Sequence, residues 1–72
     1  LMDHINVSSS NVAAVGYDAR SSTLEVEYKG GSVYQYLGVP AQHYQALIGG
    51  TVSVGRYMNT EIKPHFQCRQ VA

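Results

Sequence analysis

Apolar and polar residues alternate most strictly in TLEVEYK, Thr23 to Lys29, where Leu24, Val26 and Tyr28 interleave with Glu25, Glu27 and Lys29. A period of two sends alternate side chains to opposite faces, so this segment is expected to be a half-buried strand with one wet face. NVAAVGYD, Asn11 to Asp18, reads as the strand before it, with Val15 and Tyr17 on one face, and turn formers between Asp18 and Ser22 join the two. Gly30-Gly31 then permits positive φ, and SVYQYL, Ser32 to Leu37, is expected to return antiparallel. The period changes at Val39-Pro40. Proline suits a first helical turn, Tyr44, Leu47 and Ile48 share one helical face, and Gly49-Gly50 stops the helix. Ser53 is placed to cap a second short helix carrying Tyr57, Met58 and Ile62 at helical spacing, and Pro64 ends it. HFQCRQV, His65 to Val71, reads as a last strand, and DHINVSSS, Asp3 to Ser10, as a polar and partly flexible start. The expected fold is α+β: a three-stranded antiparallel meander packed on a short helix, followed by a second short helix and a C-terminal strand.

The register of the central hairpin decides where the tyrosines of VYQYLGVP point. A two-residue loop at Gly30-Gly31 would set Glu27 opposite Tyr34 and Glu25 opposite Tyr36, placing both rings on the charged face and burying Gln35. A three-residue loop, Lys29-Gly30-Gly31, shifts the pairing by one. Tyr34 then opposes Val26, Tyr36 opposes Leu24, and Gln35 joins the glutamates outside. Burying a large aromatic side chain is worth on the order of 2 kcal/mol, and burying an unpaired amide costs about as much. The balance favours the bulged register, with Val33 and Leu37 pointing outward.

Length and composition narrow the function classes. At 72 residues the chain is expected to be one domain, residues 3–72, with Met2 as the natural start and Leu1 an addition ahead of it. Five basic residues balance five acidic ones, so there is no cationic surplus of the kind that nonspecific nucleic-acid binding needs, and nothing that singles out DNA. No apolar run approaches the length of a membrane span, and the start lacks the charged-then-apolar pattern of a signal peptide. The single cysteine, Cys68, excludes an internal disulfide and a cysteine-based zinc cluster. These features together point to the cytoplasm.

No catalytic constellation is present. Cys68 and His65 are three apart, which on a strand sends them to opposite faces, and Cys68 is expected to be a small buried apolar residue. His4, His43 and His65 are isolated surface residues on this reading, without metal-ligand spacing. Glu25 and Glu27 share a strand face in the manner of a solubilising surface rather than an acid–base pair. Cations and aromatics instead gather in SVGRYMNTEIKPHFQCR, which holds Arg56, Lys63 and Arg69 with Tyr57, Asn59, His65 and Phe66 between them. Guanidinium planes and rings suit base stacking, Lys, Ser and Asn suit phosphate and base edges, and a helix opening at Ser53 offers backbone N–H groups to an anion. The same residues also read as core (Tyr57, Ile62) with solvated cations.

SSSNVAAVGYD, TLEVEYKGGSVYQYLGVP and SVGRYMNTEIK, taken in order, resemble the KTSC domain family, a short domain found at the C-terminus of some lysyl-tRNA synthetases and alone in bacteria and phages. The resemblance runs from about Val7 to Val71. It is carried by Gly16-Tyr17-Asp18, Tyr34-Gln35-Tyr36, Val39-Pro40 and the series Ser53, Gly55, Tyr57, Asn59, Ile62, Lys63. It implies a compact α+β domain with no established catalytic activity, and RNA binding by association with the synthetase. This chain is neutral and carries no synthetase sequence, so that association transfers poorly.

The expected function is therefore a non-catalytic binding module for a phosphate-bearing nucleotide, either short RNA or a small nucleotide signal held by sequestration. Arg56, Lys63 and Arg69 are assigned to phosphate, Tyr57 or a tyrosine of the Tyr34–Tyr36 pair (Tyr36 foremost) to base stacking, and Ser53 and Asn59 to hydrogen bonding. No metal or cofactor is expected. The alternative is a protein-interaction or self-assembly module, a homo-oligomer pairing through Val33 and Leu37 on an exposed strand edge.

Overall fold

The computed structural model describes residues 2–72; the reading of Leu1 as an addition lies outside the described residues. Among the described residues five antiparallel strands form one sheet in chain order: β1 (Ile5–Asn6), β2 (Val12–Asp18), β3 (Thr23–Tyr28), β4 (Val33–Tyr36) and β5 (Cys68–Gln70). Two helices, α1 (Ala41–Ile48) and α2 (Val54–Tyr57), fall between β4 and β5. The class and the order of elements are those expected, with the meander widened by a short strand at each side.

The central hairpin adopts the bulged register. Leu24 pairs with Tyr36, Glu25 with Gln35 and Val26 with Tyr34. The three-residue loop is closed by Tyr28 N–H donating to the Ser32 carbonyl at 2.8 Å and Gly31 N–H donating to the Tyr28 carbonyl at 2.9 Å. Gly31 supplies the left-handed residue that such a loop demands, at φ +100°.

One face of the sheet carries the core. Val15, Leu24, Val26 and Tyr36 pack with Val39, Leu47, Val54, Met58 and Ile62 from the connection and helices. Tyr17 fastens α1 to this face: its ring stacks on Tyr44 at 5.4 Å between centroids, and its hydroxyl donates to the Val39 carbonyl at 2.5 Å. Pro40, with ψ 146°, stands just outside α1 rather than in its first turn, and Ile48 at the far end is exposed instead of sharing the buried face. The helix stops at Gly49, followed by Gly50 with φ +80°.

The second helix changes pitch partway. Ser53 caps α2 by accepting from Arg56 N–H. From Met58 to Ile62 the chain widens into a π turn, and Lys63 N–H donates to the Met58 carbonyl five residues back at 2.8 Å. Two local features favour the widening. The Thr60 hydroxyl donates to the Arg56 carbonyl at 3.0 Å, competing for the acceptor that an α turn would use, and Pro64 has no N–H to continue the ladder.

Several expectations are corrected on the other face. Asp3 to Ser10 is not a loose start: Ile5 and Asn6 pair with Val15 and Ala14, and Val7 N–H donates to the Ala13 carbonyl. The residues before β1 lie across Gly16, where an added Cβ would fall 2.4 Å from the Asp3 carbonyl oxygen and 2.9 Å from the His4 ring. Glu25 is consequently at 0% exposure rather than on a wet face. His4 is no free surface residue: its Nε2 lies 2.5 Å from Glu25 and its Nδ1 3.3 Å from Glu27. Carboxylates only accept, so both contacts are hydrogen bonds at once only when both ring nitrogens carry protons. Val33 is 4% exposed and no edge residue, because β5 covers β4: Val71 N–H donates to the Val33 carbonyl and Val33 N–H to that of Ala72. Leu37 is half-buried, with its N–H donating to the Gln67 carbonyl. Cys68 is exposed on β5 rather than buried. His43 is half-buried, held by the Tyr57 hydroxyl at 2.7 Å, whereas His65 is at the surface as expected.

Glu25 fixes an acid dependence. Burial alone raises its pKa, but hydrogen bonds from Gln35, His4 and the Met2 N–H, with the charge of His4, outweigh that and hold it below the ordinary carboxylate value. A lowered folded pKa contributes stability above the unfolded value of about 4.3, lost as pH falls through the folded value. Denaturant melts at neutral pH and below pH 4 should show the native chain losing this contribution and Glu25→Gln losing less. Parallel pH curves for the two would contradict it. His4→Ala should cost about 1–3 kcal/mol at neutral pH, the penalty of stripping a buried acceptor of a partner.

Candidate functional site

Two hollows open beside the segment from Ser53 to Lys63, and they differ in chemistry. The first has a volume of about 460 Å³ and is lined by Tyr28, Ser32, Tyr34, Tyr36, Lys63 and Cys68. Its three rings share the helix-bearing face because the bulged register puts Tyr34 and Tyr36 beside Leu24 and Val26, with Tyr28 two residues further along β3. Cys68 enters because β5 pairs it with Tyr36. Lys63 enters from the end of the π turn, its Nζ 5.5 Å from the centre of the Tyr28 ring, a cation–π separation.

The rings play different parts. Tyr36 is 3% exposed, and its hydroxyl lies 2.7 Å from that of Tyr28, so it forms the floor. Tyr34 is half-buried, meets Tyr28 edge to face at 5.8 Å, and donates its hydroxyl to Gln70 on β5. Tyr34 therefore presents a ring at the rim in a fixed orientation. Burial raises the Tyr36 phenol pKa, with the Tyr28 hydroxyl adding to it, and burial also raises that of Tyr28. Both phenols stay neutral at physiological pH, which suits hydrogen bonding and not service as a phenolate base.

The second hollow, about 510 Å³, lies between the Ser8–Asn11 segment and α2, and Ser53, Arg56, Asn59 and Thr60 form its helical wall. The walls approach closely because position 55 is glycine; a Cβ there would sit 3.2 Å from Asn11 Oδ1. Ser9 and Ser53 are committed to local hydrogen bonds, Ser9 accepting from Asn11 and Val12 N–H and Ser53 from Arg56 N–H. Among the described residues the Arg56 guanidinium has no carboxylate partner, and the Asn59 side chain makes no hydrogen bond.

The residues assigned to a ligand from sequence thus separate. Ser53, Arg56 and Asn59 meet in the polar groove, and Tyr36 and Lys63 meet in the tyrosine hollow. Tyr57 is engaged with His43, edge to face at 5.7 Å, and also borders a smaller hollow of about 260 Å³ with Val52 and Glu61. Arg69 is on the opposite face, where its Nε and a terminal nitrogen donate to Gln35 Oε1 at 3.1 and 2.9 Å. Tyr34, the other tyrosine of the pair, joins Tyr36 and Lys63 in the tyrosine hollow, whereas Tyr28, Ser32 and Cys68 carry no assignment from sequence. The bulged register already placed the three tyrosines on one face; nothing short of the β4–β5 pairing could add Cys68. The Ser8–Asn11 wall carries no signal in the sequence beyond a polar run, the pattern expected of a flexible start. No helix among the described residues is long and apolar enough to cross a membrane, and they contain no group of His, Cys, Asp and Glu that would hold a metal ion.

Comparison with known proteins gives a consistent family. The KTSC domain matches residues 8–66. An uncharacterized protein of Stutzerimonas stutzeri is 38% identical over 63 residues, 88% of this chain and 87% of that protein. A protein of Tsukamurella paurometabola is 36% identical over 61 residues, covering 85% and 90% respectively. The crystal structure of a KTSC domain protein from Yersinia pestis superposes with a TM-score of 0.88 at 38% identity, over 100% of both chains. If the two hollows have separate walls, Gly55→Ala should disturb the polar groove and leave the tyrosine hollow intact. Amide chemical-shift changes confined to residues 8–11 and 53–60 would show this; equal changes at Tyr34 and Cys68 would refute it.

Proposed function

The chain belongs to the KTSC domain family, and from that premise and its tyrosine hollow we propose that it is a non-catalytic binding module for a small phosphate-bearing nucleotide. The observation that carries the reading is the meeting of three tyrosines with one ammonium group in a hollow of about 460 Å³. That volume lies within the range of about 300–1,000 Å³ in which small-molecule sites fall. A base stacks on the Tyr34 ring at the rim, and its phosphate meets Lys63. Ser32 and the Tyr28–Tyr36 hydroxyl pair offer hydrogen bonds along the wall.

A small nucleotide fits better than a long RNA. Continuous tracking of a strand needs cations in a row, whereas Arg56, Lys63 and Arg69 are dispersed over a groove, a hollow and the opposite sheet face, on a chain of zero net charge. Sequestration of a free nucleotide needs only the hollow itself. Self-assembly has less to work with, because Val33 is covered and the free edge beside it is the three-residue β5; short edges resist pairing.

Calorimetry and thermal-shift measurement with the four ribonucleoside 5′-monophosphates and inorganic phosphate test the reading. At least one nucleotide should raise the melting midpoint, by about 2.7 kcal/mol of linkage at a hundredfold excess over Kd. Tyr34→Leu should weaken that ligand about tenfold or more, as loss of a stacking ring costs about 1–3 kcal/mol. Lys63→Ala should weaken it while leaving the unliganded midpoint nearly unchanged, since Lys63 is exposed. Absence of any shift across the panel at millimolar concentration would sink the proposal.

A further inference from the structure

The polar groove and the tyrosine hollow adjoin, and, resting on the nucleotide reading above, we infer that together they form one two-part site whose ligand is a dinucleotide, with the second phosphate in the groove. The juxtaposition rests on two links. Asn59 in the groove and Lys63 in the hollow are four residues apart on one helical segment, about one turn. Across from them, Asn11 of the groove precedes Val12, which pairs with Tyr28 of the hollow, and the Asn11 carbonyl accepts from Lys29 N–H at 2.9 Å. The two hollows are thus separated by one ridge rather than by the body of the domain.

The chemistry on the two sides is complementary. The hollow has rings and one ammonium and so takes a base with its adjoining phosphate. The groove has no aromatic wall. Among the described residues it offers an Arg56 guanidinium with no carboxylate partner, an unengaged Asn59 side-chain amide, and the Asn11 side-chain Nδ2, which makes no hydrogen bond. A guanidinium fork with adjacent amides matches the oxygens of a second phosphate and the hydroxyls of its ribose. A mononucleotide leaves all of these unused. A dinucleotide placed across the ridge at Lys63 uses both halves.

The test compares adenosine 5′-monophosphate, 5′-phosphorylated diadenylate and a ten-nucleotide oligoadenylate by calorimetry, with the native chain, Arg56→Ala and Asn59→Ala. Both substituted side chains are exposed, and circular dichroism checks that the variants keep the fold. The dinucleotide should bind at least tenfold tighter than the mononucleotide, and that ratio should fall to within about twofold in Arg56→Ala, with Asn59→Ala reducing it less. A decamer no tighter than the dinucleotide marks a free dinucleotide as the source; a tighter decamer marks an RNA end, and either supports the two-part site. Equal affinities for mono- and dinucleotide, or a ratio that survives both substitutions, would overturn the inference and leave mononucleotide binding standing. Absence of binding by all three ligands, and by their counterparts carrying the other three bases of the panel, would overturn both.

Discussion

The pairing of Tyr34 with Val26 governs both faces of this sheet. Because side chains alternate with a period of two, the extra residue in the Lys29-Gly30-Gly31 loop moves every β4 side chain to the face opposite the one a two-residue loop would choose. Tyr34 and Tyr36 then join the helix side, and Gln35 joins the glutamates. The core, the tyrosine hollow and the polar row on the far side all follow from that one choice. Gly31, left-handed at the end of the loop, is the residue that permits it.

The far side is a second consequence of the same register. Gly16, Glu25, Gln35 and Arg69 stand opposite one another in a row across four strands. Gln35 Nε2 donates to Glu25 at 2.8 Å while its oxygen accepts from Arg69, so the amide passes charge complementarity from a buried carboxylate to an exposed guanidinium. At the other end of the row the missing side chain of Gly16 lets the segment with His4 lie down over Glu25. A carboxylate at zero exposure is costly unless partnered, and here Gln35, His4 and the Met2 N–H all donate to it. The sheet is thereby closed on a face that alternation marks as wet. The cost is that Arg69, a cation the sequence offers for phosphate, is committed elsewhere.

On the helix side, the hollow exists because the covering layer is incomplete. α1 is fastened over β2 by Tyr17, and α2 with its π turn supplies Met58 and Ile62 to the core, but neither extends over the β3–β4 loop end. Tyr28 and Tyr34 are left half-buried there, with Lys63 at the mouth. Rings that finish a core in a fully covered sheet here become walls of a cavity. Tyr34 and Tyr36 are thus divided in role by depth alone, one at the rim and one at the floor.

Local and periodic features were legible in the chain itself: the alternation of β3, the glycine-dependent loop, the change to a helix around Val39-Pro40, the Ser53 cap and the stop at Pro64. Each of these is decided by neighbours within a few residues, through backbone freedom or a hydrogen bond of short range. The family likeness was also legible, as an order of short motifs. What the sequence alone left undecided depends on residues far apart in the chain. The burial of Glu25 requires His4, 21 residues away, to cross the sheet. The covering of Val33 requires β5, and the division of Arg56, Lys63 and Arg69 among three surroundings requires the helical segment and the last strand to be placed in space. A cluster in sequence, 53 to 69, is therefore divided between two adjoining hollows and the opposite sheet face, because a helix followed by a strand directs neighbouring side chains to different faces, and only the tertiary packing decides which of those faces encloses a cavity.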